Sequence, residues 1–403
     1  MWQLFSTKPM WQKSALRDSY DVVIVGGGVH GLATAYYLCK RGVNNLAVLE
    51  RSYLGGGNSG RNTAILRSNY RTPQGVAFYN ASMKIWENLS CELEFNLLFS
   101  QEGHLTLAHT DSTMSGLRVR ADANQLLGVD SRLVTPEEIK RMVPAINIRQ
   151  DVRYPILAGL YHPPGGIIRH DAVVWGYARA ANNLGAELHT HTEVTGIVTK
   201  NGGVEGVETT RGKIKTGTVV NATSGWSTAI ARMAGVSLPI TSHPLQACVT
   251  EPLKPFLGKV IVSANLHVYV NQTDRGEVVL GSEIDPYSSY SLRSTLPTLE
   301  MIAAHTLDLF PCLRHVCVMR QWGGVCDMTP DYSPIIGETP ELKGFILDVG
   351  WGTYGFKAGP IAGSLVSELI DTGRTPELIR PFALSRFRDN HLVGEKAAAA
   401  VST

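Results

Sequence analysis

VVIVGGGVHGLATAYYL, residues 22–38, decides the fold. The apolar, β-branched run DVVIV (21–25) reads as a strand buried on both faces of a parallel sheet. Gly26, Gly28 and Gly31 follow in G-x-G-x-x-G spacing, LATAYYLCKRG continues with helical periodicity to Gly42, and NLAVLE (45–50) is the next strand. In that context the spacing is a dinucleotide-binding signature. Gly26 permits the tight turn, Gly28 with Val29 lets the backbone approach a pyrophosphate, and Gly31 lets helix and strand pack closely. The helix N-terminus stabilises phosphate charge. Glu50 ends the second strand, placed to accept ribose hydroxyls and to repel a 2′-phosphate. His30, inside the signature, reads as a packing or phosphate-side residue rather than a base.

The next stretch chooses the dinucleotide. After Glu50 the chain runs Arg51-Ser52-Tyr53-Leu54-Gly55-Gly56-Gly57-Asn58-Ser59-Gly60-Arg61-Asn62, a loop of amides and cations where a nicotinamide enzyme would continue with regular α/β repeats. Such a loop can serve a second part of the same cofactor, which points to FAD lying extended along the sheet edge.

Composition sets wider bounds. The chain has 403 residues, 44% of them hydrophobic and 18% charged, enough for two domains and a large core, with a surface that suits partial cover by partners. A net charge of +2 and the lack of a basic run flanked by aromatics leave no nucleic-acid footprint. The six cysteines form no C-x-x-C pair, which argues against zinc and suits reduced thiols in a cytoplasmic setting. No run is long and apolar enough for a membrane span, and no signal peptide is read at the N-terminus.

Further along, helices are expected within 71–100, over 113–129, after the capping box Thr135-x-x-Glu138, over 171–184, and over 296–310. AELHTHTEVTGIVTKNGGVEGVETTRGKIKTGTVVNATSG (186–225) reads as a strand meander, with His189 and His191 exposed on one side. RQWGGVCDMTPDYSPIIG (320–337) reads as turns, GFILDVG (344–350) as a buried strand, and PIAGSLVSELI (360–370) as a helix with Pro360 in its first turn. The expected fold class is α/β with an α+β second domain: a Rossmann-like FAD-binding domain from 21–80, 145–235 and 330–385, and an inserted antiparallel-sheet substrate domain from 81–144 and 236–329. Residues 1–20, with two tryptophans, read as a floppy tail or a partner-docking arm, and 386–403 as a loose tail.

The motifs VVIVGGGVHGLATAYYL, VLERSYLGGGNSGRNTAILRSNY, NATSGW, TPDYSPIIG and GFILDVGWGTYGFKAGPIAG span the whole chain. Together they resemble the amine- and amino-acid-oxidising FAD family of glycine oxidase and sarcosine oxidase. Within it, NSGRNTAILRSNY and RHDAVVWGYARAA (169–181) are most similar to the β subunits of heterotetrameric sarcosine oxidases. That resemblance implies non-covalent FAD, covalent FMN on a histidine of the RHDAV segment (here His170), and α, γ and δ partner subunits, the α subunit carrying NAD and tetrahydrofolate. It implies sarcosine as substrate, O2 reduced to H2O2 through the FMN, and the methyl carbon passed to tetrahydrofolate.

Residue by residue, the resemblance assigns Lys357 and Arg67 to the substrate carboxylate. It assigns Gly26, Gly28, Val29, His30, Gly31, Glu50, Arg51, Asn58, Ser59, Gly60, Arg61, Asn62, Ala222, Gly225, Trp226, Gly352, Gly355 and Phe356 to the cofactor. The helix start near Gly355 would face the flavin N1/C2=O edge, where negative charge develops. Single-chain relatives attach FAD to a cysteine five residues before the T-P-D threonine. Here that position is Gly324, with Cys326 displaced by two, so FAD is expected to be non-covalent. The lysine that activates oxygen in those relatives corresponds to an apolar position around Val279.

Taken alone, His170 reads as a neighbour of the helix cap, with Asp171 as cap or first-turn acid, and only the resemblance makes it a flavin anchor. Two other functions stay open: an FAD-dependent oxidase or dehydrogenase of D-amino acids or proline, and a flavin-binding assembly subunit of a larger dehydrogenase. No metal site is expected.

Overall fold

A computed structural model describes residues 9–395. In chain order the strands of the first half are β1 (Val22–Val25), β2 (Leu46–Leu49), β3 (Ile65–Leu66), β4 (His104–Ala108), β5 (Arg132–Val134), β6 (Ala158–His162), β7 (Gly166–Ile167), β8 (Glu187–His189) and β9 (Val194–Lys200). They continue as β10 (Gly203–Thr209), β11 (Gly212–Lys215), β12 (Val219–Asn221), β13 (Thr241–Pro252), β14 (Val260–Ser263), β15 (Val268–Gln272), β16 (Glu277–Ile284), β17 (Val318–Met328), β18 (Ile335–Thr339) and β19 (Leu342–Val349). The helices are α1 (Val29–Lys40), α2 (Pro73–Glu92), α3 (Asp111–Leu126), α4 (Pro136–Met142), α5 (His170–Asn183), α6 (Ser227–Met233), α7 (Leu296–Leu309) and α8 (Gly355–Thr372).

The strands build two large sheets. The first runs β11-β10-β19-β12-β1-β2-β8, with β9 on β10 and β18 on β19. From β19 to β8 its pairs are parallel, and β1 and β2 are buried throughout, as strands covered on both faces must be. Val22 and Ile24 pack into one core with α1, α2, α5 and α8, while Val23 and Val25 pack into another with the β9–β11 strands and α6. The second sheet runs β17-β13-β16-β15-β14-β4-β6-β5, antiparallel except for the parallel pair β14–β4. Its own core lies against α4 and α7.

The signature glycines do what their spacing implies. Gly26 has φ +113°. At Gly31 a Cβ would lie 2.0 Å from the Gly26 carbonyl oxygen and 3.1 Å from Ile24 Cγ2, so β1 and α1 can meet only with hydrogen there. Gly31→Ala is therefore expected to cost about 1–3 kcal/mol or more by overpacking. Thermal melting and FAD retention check this, and an alanine variant with wild-type values of both would refute it.

Several sequence expectations need correcting. Strand β6 belongs to the second sheet although 145–235 was expected in the first domain. Helix α2, which crosses the expected boundary at residue 80, is one unbroken helix packed in the core with α1 and α8. The expected meander is divided: β9–β11 are antiparallel, but β8 and β12 join parallel positions on either side of β1 and β2. The stretch 320–328, expected to be turns, is most of β17, with Gly323 and Gly324 within the strand. Pro360 sits inside α8 rather than in its first turn.

His189 is buried, bonded to Glu187 and Tyr20. Residues 9–20 pack on their own chain: Trp11 lies against the helical core, Arg17 pairs with Glu187, and Ser19 bridges to Lys215. The rest of the expected arm, 1–8, lies outside the described residues. The segment 386–395 is anchored at its two ends, with Arg386 and Glu395 each 3% exposed, while 396–403 of the expected tail lies outside the described residues.

Candidate active site

A cavity of about 1100 Å3 lies between the two sheets, above the range of about 300–1,000 Å3 that houses a drug-sized ligand. Gly26, Gly28, Val29 and His30 line one end, and Glu50 and Arg51 the adjoining wall. Helix α1 opens there with Gly28 as N-cap, no side-chain cap and no acidic residue in its first turn. Its Val29 amide donates instead to Ser59 Oγ at 2.9 Å, brought in by the loop after β2. An uncapped helix start facing a cavity is an anion seat. Glu50 is oriented by the amides of Gly27 and Ser52, each donating at 2.9 Å. Arg51 lies over the Trp226 ring, 4.0 Å from its centroid, and Ala222 also lines this end.

Asn58, Ser59, Arg61 and Asn62 line the middle. Asn58 stitches the loop to β17: its Oδ1 accepts from the Val325 amide at 2.9 Å and its Nδ2 donates to Ser224 Oγ at 2.8 Å. Trp322 Nε1 donates to the Arg61 carbonyl at 2.7 Å. Gly352, Gly355 and Phe356 face the cavity where α8 begins, again without a side-chain cap. His30 is fixed between the Asp348 carboxylate at 3.0 Å and the Gly355 carbonyl at 2.8 Å. Burial works against its charged form, but Asp348 and the Gly355 carbonyl outweigh it and raise its pKa.

At the far end the basic residues converge. Arg67 and Lys357 both line the cavity and both are buried. Burial first, and the Arg67 guanidinium second, lower Lys357 from 10.5 to about 7. Arg120, from α3, lies beside them and carried no signal in the sequence, where it stood among ordinary helix residues. Asn69 separates the two guanidiniums: its Oδ1 accepts from Arg67 at 3.0 Å and from Arg120 at 2.9 Å. Burial, then Arg67 and Arg71, push the Arg120 pKa well down. His104 also lines this end, with its Nδ1 buried and without a partner. Burial first, then Arg67, His162, Arg120 and Lys357, keep it neutral. Three basic side chains gathered at one end of the cavity make a seat that suits an anionic ligand.

Other expected site residues stand back from the wall. Gly31, Gly60 and Gly225 serve close packing: a Cβ at Gly60 would meet the Gly55 oxygen at 2.4 Å, and one at Gly225 the Val325 oxygen at 2.5 Å. Val279 does not line the cavity, and Lys357 is the only lysine that does among the described residues. Cys326 does line it, but burial, then Asp327, raise its thiol pKa far above the usual range. A thiol so held is a poor anchor. Cys326→Ser is expected to leave FAD content unchanged, with all FAD released by acid from both proteins. FAD retained on the acid-treated wild type through this residue would overturn that.

His170 is absent from the cavity wall. It is the first residue of α5, half-buried, and burial, ahead of the opposing Asp171 and the reinforcing Arg169, lowers its pKa. Helix α5 packs close to the flavin-side loop, since a Cβ at Gly55 would touch Val174 at 3.2 Å. Gly165 and Gly166, which lead into α5, are buried: a Cβ at Gly166 would meet the Ser100 oxygen at 2.1 Å, and Gly166 pairs with Leu66. Among the described residues no group of three or more His, Cys, Asp or Glu is placed to hold a metal. Nor is any helix among them long and apolar enough to cross a membrane.

A two-sheet architecture with a dinucleotide groove opening on a cationic pocket defines a flavin-dependent oxidoreductase. The chain belongs to the FAD-dependent oxidoreductases of the DAO family, whose pattern it matches over residues 21–369. Among its relatives are the sarcosine oxidase subunit beta of an Arthrobacter species, 45% identical over 98% of this chain and 97% of the relative, and that of Rhodobacter capsulatus, 43% identical over 97% and 94%. Among solved structures, L-proline dehydrogenase from P. horikoshii matches with a TM-score of 0.86 and 30% identity, covering 94% of this chain and all of that one.

Proposed function

We propose that this chain is the substrate-oxidising subunit of a sarcosine oxidase, acting on N-methylglycine at FAD. The observation that carries the reading is the pairing of Arg67 and Lys357 at one end of a groove whose other end is the Gly26–Gly31 turn. The groove residues fit FAD: an uncapped α1 start for the pyrophosphate, Glu50 for ribose hydroxyls, and the uncapped α8 start for the flavin edge. Bound FAD supplies a two-electron acceptor for the amine C–H. Arg67 and Lys357 would bind the substrate carboxylate and aim the N-methyl group. The neutral His104 faces the same space without adding charge. Substrate and FAD bound between the sheets would displace water there.

The same reading gives His170 a second flavin, FMN, held through its imidazole. The residue fits: a neutral ring outside the FAD groove and near the flavin-side loop. It also gives the complex α, γ and δ partners, with NAD and tetrahydrofolate on α, and oxygen as the final acceptor. The free cysteines favour a reducing, cytoplasmic compartment. A second reading, L-proline as the substrate, is favoured by the likeness to the P. horikoshii enzyme. Anaerobic bleaching of flavin absorbance by sarcosine, L-proline and D-alanine decides between them. Sarcosine is expected to bleach fastest at saturation, and preference for another substrate would overturn the assignment.

A further inference from the structure

Arg67 and Lys357 sit on segments far apart in the chain, and something must hold those segments in register. Residues 386–395 return across the FAD-binding layer and deliver Glu395 to the start of α2. Its carboxylate accepts from the Arg71 amide at 3.1 Å, the Thr72 amide at 2.9 Å and the Thr72 hydroxyl at 2.7 Å. Its backbone carbonyl accepts from Tyr354 Oη at 3.1 Å. The segment is itself anchored: the Glu395 amide donates to the Asp331 carbonyl at 3.0 Å, and the buried Arg386 donates to the Asp331 carboxylate at 2.8 Å.

One residue thus ties the turn after Arg67 to the loop before Lys357. The aromatic contacts continue the link. The Arg67 guanidinium lies 4.4 Å from the Tyr70 ring centroid, Tyr70 stacks on Tyr79 at 3.8 Å, and Tyr354 meets Tyr70 edge-on at 5.4 Å. Helix α2, whose N-cap Thr72 is gripped by Glu395, reaches Lys357 directly. Ser82 Oγ and Trp86 Nε1 donate to the Lys357 carbonyl at 2.6 and 2.9 Å. Glu395 also offsets part of the repulsion that Arg120 receives from Arg67 and Arg71.

We propose that Glu395 is a positioning residue for the carboxylate-binding pair: through Thr72 and Tyr354 it sets the spacing of Arg67 and Lys357, and with it the affinity for a carboxylate substrate. The proposal rests on the reading of Arg67 and Lys357 as that pair. The test uses the FAD-loaded complex, with acetate as the probe and its Kd read from the perturbation of flavin absorbance. Glu395→Gln keeps size but removes charge and one acceptor, and Tyr354→Phe removes a single hydroxyl. Each is expected to weaken acetate by about three- to tenfold. The limiting rate of flavin bleaching at saturating sarcosine should change much less.

A purely structural role would lower Tm and FAD content and leave the acetate Kd of the folded protein unmoved; that result, or wild-type Kd in both variants, overturns the proposal. If Glu395→Gln fails to fold, Tyr354→Phe decides alone by the same measure. Arg67→Ala and Lys357→Met run alongside. If these also bind acetate normally, the carboxylate-pair reading has failed; if they lose it while the Glu395 and Tyr354 variants do not, only the positioning role has.

Discussion

Lys357→Met is expected to weaken acetate binding by about 10- to 150-fold, the loss of a charge-assisted hydrogen bond of about 1.5–3 kcal/mol. Flavin bleaching by low sarcosine concentrations should slow in proportion. The reason is burial: Lys357 lies at the start of α8 beside Arg67 with 8% of its surface exposed, where water compensates poorly for a missing charge. The same burial gives the variant a pH signature. The folded pKa is depressed from 10.5 to about 7, so the ammonium is present below pH 7 and is lost as pH rises through it. Acetate stays ionised across that range. Wild-type affinity should therefore be flat below pH 7 and fall by up to about tenfold per pH unit above it, while the methionine variant shows only a shallow dependence. Equal pH profiles for the two proteins would remove Lys357 from the carboxylate site.

The other large effect concerns His170. After acid precipitation the wild-type chain is expected to keep one flavin equivalent, as FMN, and to release its FAD. His170→Ala should keep none and release the same FAD. The contrast is expected to be all-or-none: Cys326, the cysteine that lines the cavity, is buried with a raised thiol pKa, whereas His170 is a half-buried imidazole at the head of α5. Mass spectrometry of the peptide containing residues 169–179 checks the wild type. Its unmodified mass throughout, or colour retained by the alanine variant, would sink the second-flavin reading.

Local rules carried the parts of the protein that are locally determined. Gly26, Gly28 and Gly31 have tasks fixed by backbone geometry within one turn, and the Thr135–Glu138 capping box forms as its spacing dictates. Sheet membership was less legible. Strand β6 is a short apolar run like those of the first sheet, and only its pairing with β4 and β5 places it in the second. The β17 stretch carries two glycines and so read as turns. Gly324 is tolerated because the strand must pass close to Asn58, whose Oδ1 would lie 3.1 Å from a Cβ there. Arg120 and His104 were invisible as site residues because their meaning comes from neighbours distant in sequence. Alone, one is a helix arginine and the other a strand histidine. Glu395 lay in a stretch whose small and charged residues suggest a tail, and its anchoring depends on Asp331 and Thr72.

The strand order of the first sheet also governs how the protein can be made. Strand β1, at residues 22–25, is hydrogen-bonded between β2 and β12, and β12 in turn needs β19, which ends at residue 349. During synthesis the phosphate turn emerges early, but β1 has no neighbour on one side until β12 (Val219–Asn221) follows, and β12 lacks its own second neighbour until β19 (Leu342–Val349). Such distant pairing is slow to form. The apolar strands β1 and β2 must therefore be kept from wrong partners until residue 349 has been made and β19 can complete the sheet.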